Sequence, residues 1–270
     1  MSKGANTMKR TTAFLAVLAI VGLLVAVPAF SQEAPQGEEA ALDAQEILDR
    51  VNAAWQGDSF YGIVRLEITI GGATKVHALE VWTLGEELAL VRVLEPEIDL
   101  NSGYLQLGDE LWYSSPDVGA IKLPAMAIGD ALFGSGPSLA DVSRGTLSDE
   151  YDVSVAVLDD DPDDESDAHW FLTLVPHLDA PAVYGKLEIW VTADYVMEQL
   201  VYYDQRGEVL QTAVFSDVVE IDTRKFATTI TIEDSFGDRT VQRIEDPQFD
   251  LELHPTFFSI ETFATWGEDE

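Results

Sequence analysis

The chain contains no cysteine, which excludes disulfides, thiolate nucleophiles and lipid attachment through an N-terminal cysteine. Basic residues are scarce too: 15 Lys and Arg stand against 49 Asp and Glu, for a formal net charge of −34. A surface of that sign repels polyanions, so nucleic acid is not expected as a partner. Histidine is confined to His77, His169, His177 and His254. The closest two would lie roughly 26 Å apart on an extended strand, too far to share a metal ion. No G-x-S-x-G elbow, Walker loop or dinucleotide fingerprint occurs, and no cofactor is expected. Ser135 stands between Gly134 and Gly136 with no base placed beside it, and reads as a turn or hinge residue. Pairs among 49 carboxylates are too common to be informative, which leaves hydrolysis by a carboxylate pair open as a third reading.

One long apolar run is present, Ala13 to Val27, and it is short for a bilayer span. It follows Met8-Lys9-Arg10 and precedes Ala29-Phe30-Ser31. A basic start, an apolar middle and a small-residue end mark residues 1–31 as a cleaved signal peptide. Residues 32–41, QEAPQGEEAA, read as a flexible leader. Residues 42–270 are then expected as a single exported, soluble domain. Lys3, Lys9 and Arg10 are the only charged residues before Gln32, so 12 basic residues face 49 acidic ones beyond them. Adaptation to a salt-rich habitat, where repulsion is screened, accounts for this; recognition of a basic partner is the alternative.

Asp43-Ala-Gln-Glu46 has the form of a capping box, and Ile47, Leu48, Val51, Ala54 and Trp55 recur at helical spacing before Gly57. From Ser59 the period changes to two. Phe60, Val64, Leu66, Ile68 and Ile70 mark one face of a strand, Gly71-Gly72 turns it, and Lys75 to Leu84 returns. About a dozen strands follow one another to residue 246. The alternation fails only between Leu123 and Glu150, where short helical pieces are divided by Gly134-Ser135-Gly136-Pro137. A long meander curls to hide its edges, and helices can cover the opening.

The tract LDDDPDDESD at 158–167 invites a calcium reading. Counting from Asp159, however, Asp164 stands where an EF-hand loop needs glycine and Trp170 where it needs glutamate, so it reads as a solvated loop. The aromatics say more. Trp82, Trp112, Trp170 and Trp190 fall within strands, and a closed sheet holding too few bulky residues would leave a cavity.

The order of motifs resembles the LolA-like family of outer-membrane lipoprotein-sorting proteins. It is carried by the helix at 43–51, VWTLGEELALVR at 81–92 followed by Pro96, GYLQLGDELWY at 103–113, IKLP at 121–124 and FGSGPSLADV at 133–142. KLEIWV at 186–191, YYDQRG at 202–207, FSDV at 215–218 and DPQFD at 246–250 continue it. The family's segment near Phe133 reads closer to M-G-S-x-F, from which this chain departs. The resemblance implies a mainly β, half-open antiparallel barrel of about eleven strands, with an N-terminal helix and a short helical lid. It implies a carrier that sequesters acyl chains of a lipid or lipoprotein and ferries them between inner and outer membrane. An inner-membrane exporter, an outer-membrane acceptor and a monomeric state come with it; a lipid or lipoprotein sensor on the same fold is the alternative. The expected cavity lining is Leu66, Ile68, Trp82, Leu90, Leu105, Trp112 and Trp190, since each sits in an alternating strand that needs an inside. The expected lid is Phe133, Gly134, Gly136 and Pro137.

Overall fold

The structure, a computed structural model, describes residues 43–124, 127, 151–158, 167–178 and 184–264. The signal peptide, the leader, most of the acidic tract and all four expected lid residues, Phe133, Gly134, Gly136 and Pro137, lie outside them.

After α1 (Ala44–Gln56) come β1 (Ser59–Ile70), β2 (Ala73–Leu84), β3 (Leu88–Glu95), β4 (Gly103–Leu107), β5 (Glu110–Ser114) and β6 (Ile121–Leu123). Then follow β7 (Tyr151–Val157), β8 (Ala168–Pro176), β9 (Lys186–Thr192) and β10 (Met197–Tyr203). The series ends with β11 (Val209–Ile221), β12 (Arg224–Asp234), β13 (Arg239–Phe249) and a short α2 (Ile260–Ala264). The strands form one sheet in the order β6-β5-β4-β3-β2-β1-β13-β12-β11-β10-β9-β8-β7. Among the described residues thirteen strands stand where about eleven were expected, and the expected unclosed antiparallel sheet is observed.

The opening falls where the alternation fails in the sequence, and topology gives the reason. Every neighbouring pair is antiparallel. An odd number of strands arranged in a ring must leave one pair running the same way, and here that pair is β6 and β7. β6 and β7 are the two edges of the sheet, and running the same way they cannot be joined by a tight antiparallel turn. The two ends of the strands can be called the Gly71 end, after the β1–β2 turn, and the Gly85 end, after the β2–β3 turn. Gly71 and Gly72 both have positive φ, 55° and 84°, which suits the tight turn seen in the sequence.

Period-two alternation divides the apolar residues between two cores. Val64, Leu66 and Ile68 of β1 share the concave face with Leu79, Val81, Val91, Val93 and Leu111, and with Leu172, Leu174, Leu187, Ile189 and Val191 of the distant strands. Into this face α1 sets Ile47, Leu48 and Val51. A second core, on the convex face of β2–β5, joins Leu90 and Leu105 to Phe258 and Phe263 of the C-terminal segment. Among the described residues no helix is long and apolar enough to cross a membrane.

Candidate functional site

The concave face and the helix seated in it form the candidate site. α1 starts because the Asp43 carboxylate accepts hydrogen bonds from the backbone N–H groups of Gln45 (3.0 Å) and Glu46 (3.3 Å). Glu46 turns instead to Arg50, at 2.6 Å. Ile47, Leu48 and Val51 are buried against the sheet, and Trp55 stacks on Phe226 at 4.9 Å with its edge partner Phe215 at 5.5 Å.

Polar groups fasten the helix at the Gly85 end. The Arg224 guanidinium, on β12, donates to two carbonyls in the last turn of α1: that of Ala53, which also accepts from the Gly57 N–H at 3.2 Å, and, at 3.2 Å, that of Ala54. It also pairs with Asp250 at 3.1 Å and lies over the Phe249 ring at 4.5 Å. Asp250 in turn accepts from the Asp58 N–H at 2.9 Å. Gly57 makes this junction possible: its φ is 62°, and a Cβ there would meet Asp250 Oδ1 at 2.6 Å. Arg50 donates to the Tyr195 hydroxyl at 3.1 Å, and Lys225 pairs with Asp194. Around the junction, Asp49, Asn52, Gln56, Asp58 and Glu86 help to line an open polar cleft of about 480 Å³.

The apolar space beside α1 is almost filled. Between Val51, Ala54 and Trp55 on the helix and Val196, Met197, Phe215 and Phe226 on the sheet, the cavity volume is about 10 Å³. That is room for about one water molecule, whereas pockets for sizeable ligands span roughly 300–1,000 Å³. Among the described residues, the space beside α1 is therefore too small for an acyl chain while the helix stays seated.

The seven residues expected to line one cavity do not share a face. Leu66 and Ile68 are fully buried on the concave side. Trp82 pairs with Leu90, Leu90 with Leu105 and Leu105 with Trp112 across successive strands, and this whole row belongs to the convex core under the C-terminal segment. Trp82 meets Phe257 there at 5.7 Å. Trp190 lies between the inward Ile189 and Val191, so it also points outward, with Phe171 at 4.8 Å. In VWTLGEELALVRV both parities are apolar, and a shift of one residue exchanges the faces. The neighbouring row Val81, Val91, Tyr104 is the inward one. What sequence reasoning missed was that residues 251–264 give the convex face a core of its own.

Beside Trp190, Lys186 and Tyr203 converge on the half-buried carboxylate of Glu188, at 2.6 and 2.5 Å. Burial opposes ionisation of Glu188, yet the hydrogen bonds from Lys186 and Tyr203 hold it below the usual carboxylate range. The bond to Glu188, then burial, pushes the Tyr203 phenol up to about 12. Because the folded value exceeds the unfolded one of about 10, this stabilisation is complete below about pH 10 and is lost as pH rises through about 12. An ultraviolet titration should show one tyrosine ionising near pH 12, absent in Tyr203→Phe. A wild-type titration indistinguishable from that of Tyr203→Phe would contradict the assignment. His77 is buried on β2, and desolvation lowers its pKa. Among the described residues no group of three or more His, Asp or Glu could hold a metal ion.

Residues 85–265 match the model of a family described as an uncharacterized protein. No curated protein matches the chain. Among solved structures, an outer membrane lipoprotein-sorting protein domain from Vibrio parahaemolyticus is similar with a TM-score of 0.70 at 17% identity, covering 82% of this chain and 98% of that one. A LolA superfamily protein from Nitrosomonas europaea is similar at 0.67 and 23% identity, over 81% and 98%. A DUF1329 family protein from Desulfovibrio piger is similar at 0.71 and 17% identity, over 82% and 97%. At these identities the likeness establishes a shared fold.

Proposed function

Because the chain belongs to the uncharacterized family matched over residues 85–265 and has the LolA-like fold, we propose that it is a carrier taking up acyl chains between α1 and the concave face of its sheet. The observation that supports this reading most is an apolar concavity sealed by one amphipathic helix, whose far end is held by polar contacts. The magnitudes match. Three buried aliphatic side chains at about 1.5–3 kcal/mol each seat α1 with on the order of 5–9 kcal/mol. An acyl chain of about 15 carbons, at about 0.8 kcal/mol per buried CH₂, offers on the order of 10 kcal/mol in exchange. Uptake from water can therefore open the helix, whereas a bilayer holds the chain about equally well, so loading from a membrane has to be driven by the partner that delivers it.

In this reading residues 1–31 direct export, 32–41 form a leader, and 42–270 work as a monomeric domain in the periplasm. An inner-membrane exporter loads the carrier and an outer-membrane acceptor drains it. Leu66 and Ile68 line the acyl site, and the segment around Phe133, Gly134, Gly136 and Pro137 serves as its lid. The natural cargo is identified by lipid extraction from gently purified protein followed by mass spectrometry.

The gate can be tested directly because the chain has no cysteine of its own. In the Arg50→Cys, Tyr195→Cys double variant, a short bismaleimide should tie α1 to the β9–β10 turn and block exchange of a fluorescent fatty acid. A long, flexible bismaleimide should leave exchange intact. Equal exchange with the short link would refute the gate.

A further inference from the structure

Six connections turn the chain at the Gly71 end: four carry a large exposed apolar side chain, Ile98, Val118, Leu178 and Phe236, and the other two are adjoined by Ile70 and Val209. The end is one continuous rim. Thr69 pairs with both Thr74 and Arg239, Gly71 N–H donates to Asp238 at 2.9 Å, and Ser235 N–H donates to the Leu210 carbonyl at 2.9 Å. Three of the six stand free of the protein, with Ile98 and Phe236 90% exposed and Leu178 fully so. Single apolar residues on a surface are ordinary, but one at every turn of one rim is not. Among the described residues, the turns of the opposite end carry none, and Val157 adjoins one of them.

Among the described residues the connections of the two ends carry six acidic residues each, so it is the apolar tips that set the Gly71 end apart. Arg206 lies in one of its connections, and Lys75, Lys186 and Arg239 stand at strand ends beside them, while Arg224 and Lys225 begin β12 at the opposite end.

We propose that the Gly71 rim is a membrane-contacting surface, its apolar tips entering the boundary between headgroups and acyl chains and its cations meeting the headgroups, while the opposite end faces water. A bilayer fits better than a protein partner. Isolated side chains protruding from successive turns need a deformable apolar medium, whereas a protein interface is built around a contiguous apolar core. The inference goes beyond the carrier reading and stands whether or not the concavity binds acyl chains.

The test is flotation of the protein without residues 1–31, whose apolar run would itself enter a bilayer, with vesicles of phosphatidylcholine alone. The wild-type protein should float with the vesicles. The combined variant Ile98→Ser, Leu178→Ser, Phe236→Ser should lower the partition coefficient at least about tenfold, since even partial burial of three such side chains exceeds that change. Its melting should be unaltered because all three are exposed. Val157→Ser, at the opposite end, should float like wild type. Failure of the wild type to float, or equal flotation of the combined variant, would overturn the proposal. So would binding that required native membranes and the same three residues but ignored protein-free vesicles, an outcome that points to a membrane protein instead.

Discussion

Leu48→Ala is expected to destabilise the protein by about 2–5 kcal/mol and, unusually for a core truncation, to speed uptake of a fluorescent fatty acid at least about tenfold. Leu48 is completely buried and sits between Ile47 and Val51 on the apolar stripe that closes the concavity. Truncating it leaves a void that the surrounding strands fill only partly. The loss falls on the contact between α1 and the sheet, while the strand ladders stay intact. If α1 must leave its seat before an acyl chain enters, part of that loss lowers the opening free energy, at about 1.4 kcal/mol per factor of ten. Leu105→Ala is the matched control. It is equally buried but belongs to the convex core, so it should cost similar stability and leave uptake unchanged. The pair also tests the assignment of faces, since a Leu105 lining the cavity would alter uptake too. Denaturant melts and stopped-flow fluorescence give the two readouts. A Leu48→Ala protein that loses stability yet takes up ligand at the wild-type rate would rule α1 out as the gate.

The melting temperature is expected to rise on the order of 10 °C between about 10 mM and 1 M sodium chloride. The chain carries 49 acidic against 15 basic residues, and acidic side chains such as Glu67, Glu95, Asp194 and Asp250 are about half exposed even where they form ion pairs. Exposed pairs of this kind contribute little each, about 0–1 kcal/mol, so unbalanced repulsion outweighs them. Salt shortens the screening length from about 30 Å at 0.01 M to about 3 Å at 1 M, which removes most repulsion between neighbouring carboxylates. For a domain of this size each kcal/mol gained moves the midpoint by about 2–4 °C. Calorimetry at fixed pH measures the shift. A flat response would instead favour the other account of the acidity, recognition of a basic partner.

The helix was readable before any fold was known, because its cap and stripe are local: Asp43, Ile47, Leu48 and Val51 do in the structure what their spacing implies. The strand succession was readable for the same reason, with glycine turns at Gly71-Gly72, Gly85 and Gly108 punctuating period-two runs. Which face of each strand turns inward was not. Trp82, Leu90, Leu105 and Trp112 have the apolar character of cavity residues, yet they lie outward because the chain returns after β13 to cover them with Phe257, Phe258 and Phe263. That contact joins residues more than a hundred positions apart, and no local pattern specifies it. The latch of Arg224 on the end of α1, made across 171 positions, was hidden likewise: a lone arginine after a turn has no periodicity to betray its partner. Period and capping are written into neighbouring residues by backbone geometry. Parity, the position of the opening and the filling of the concavity depend on which surfaces meet, and only the closed chain decides that.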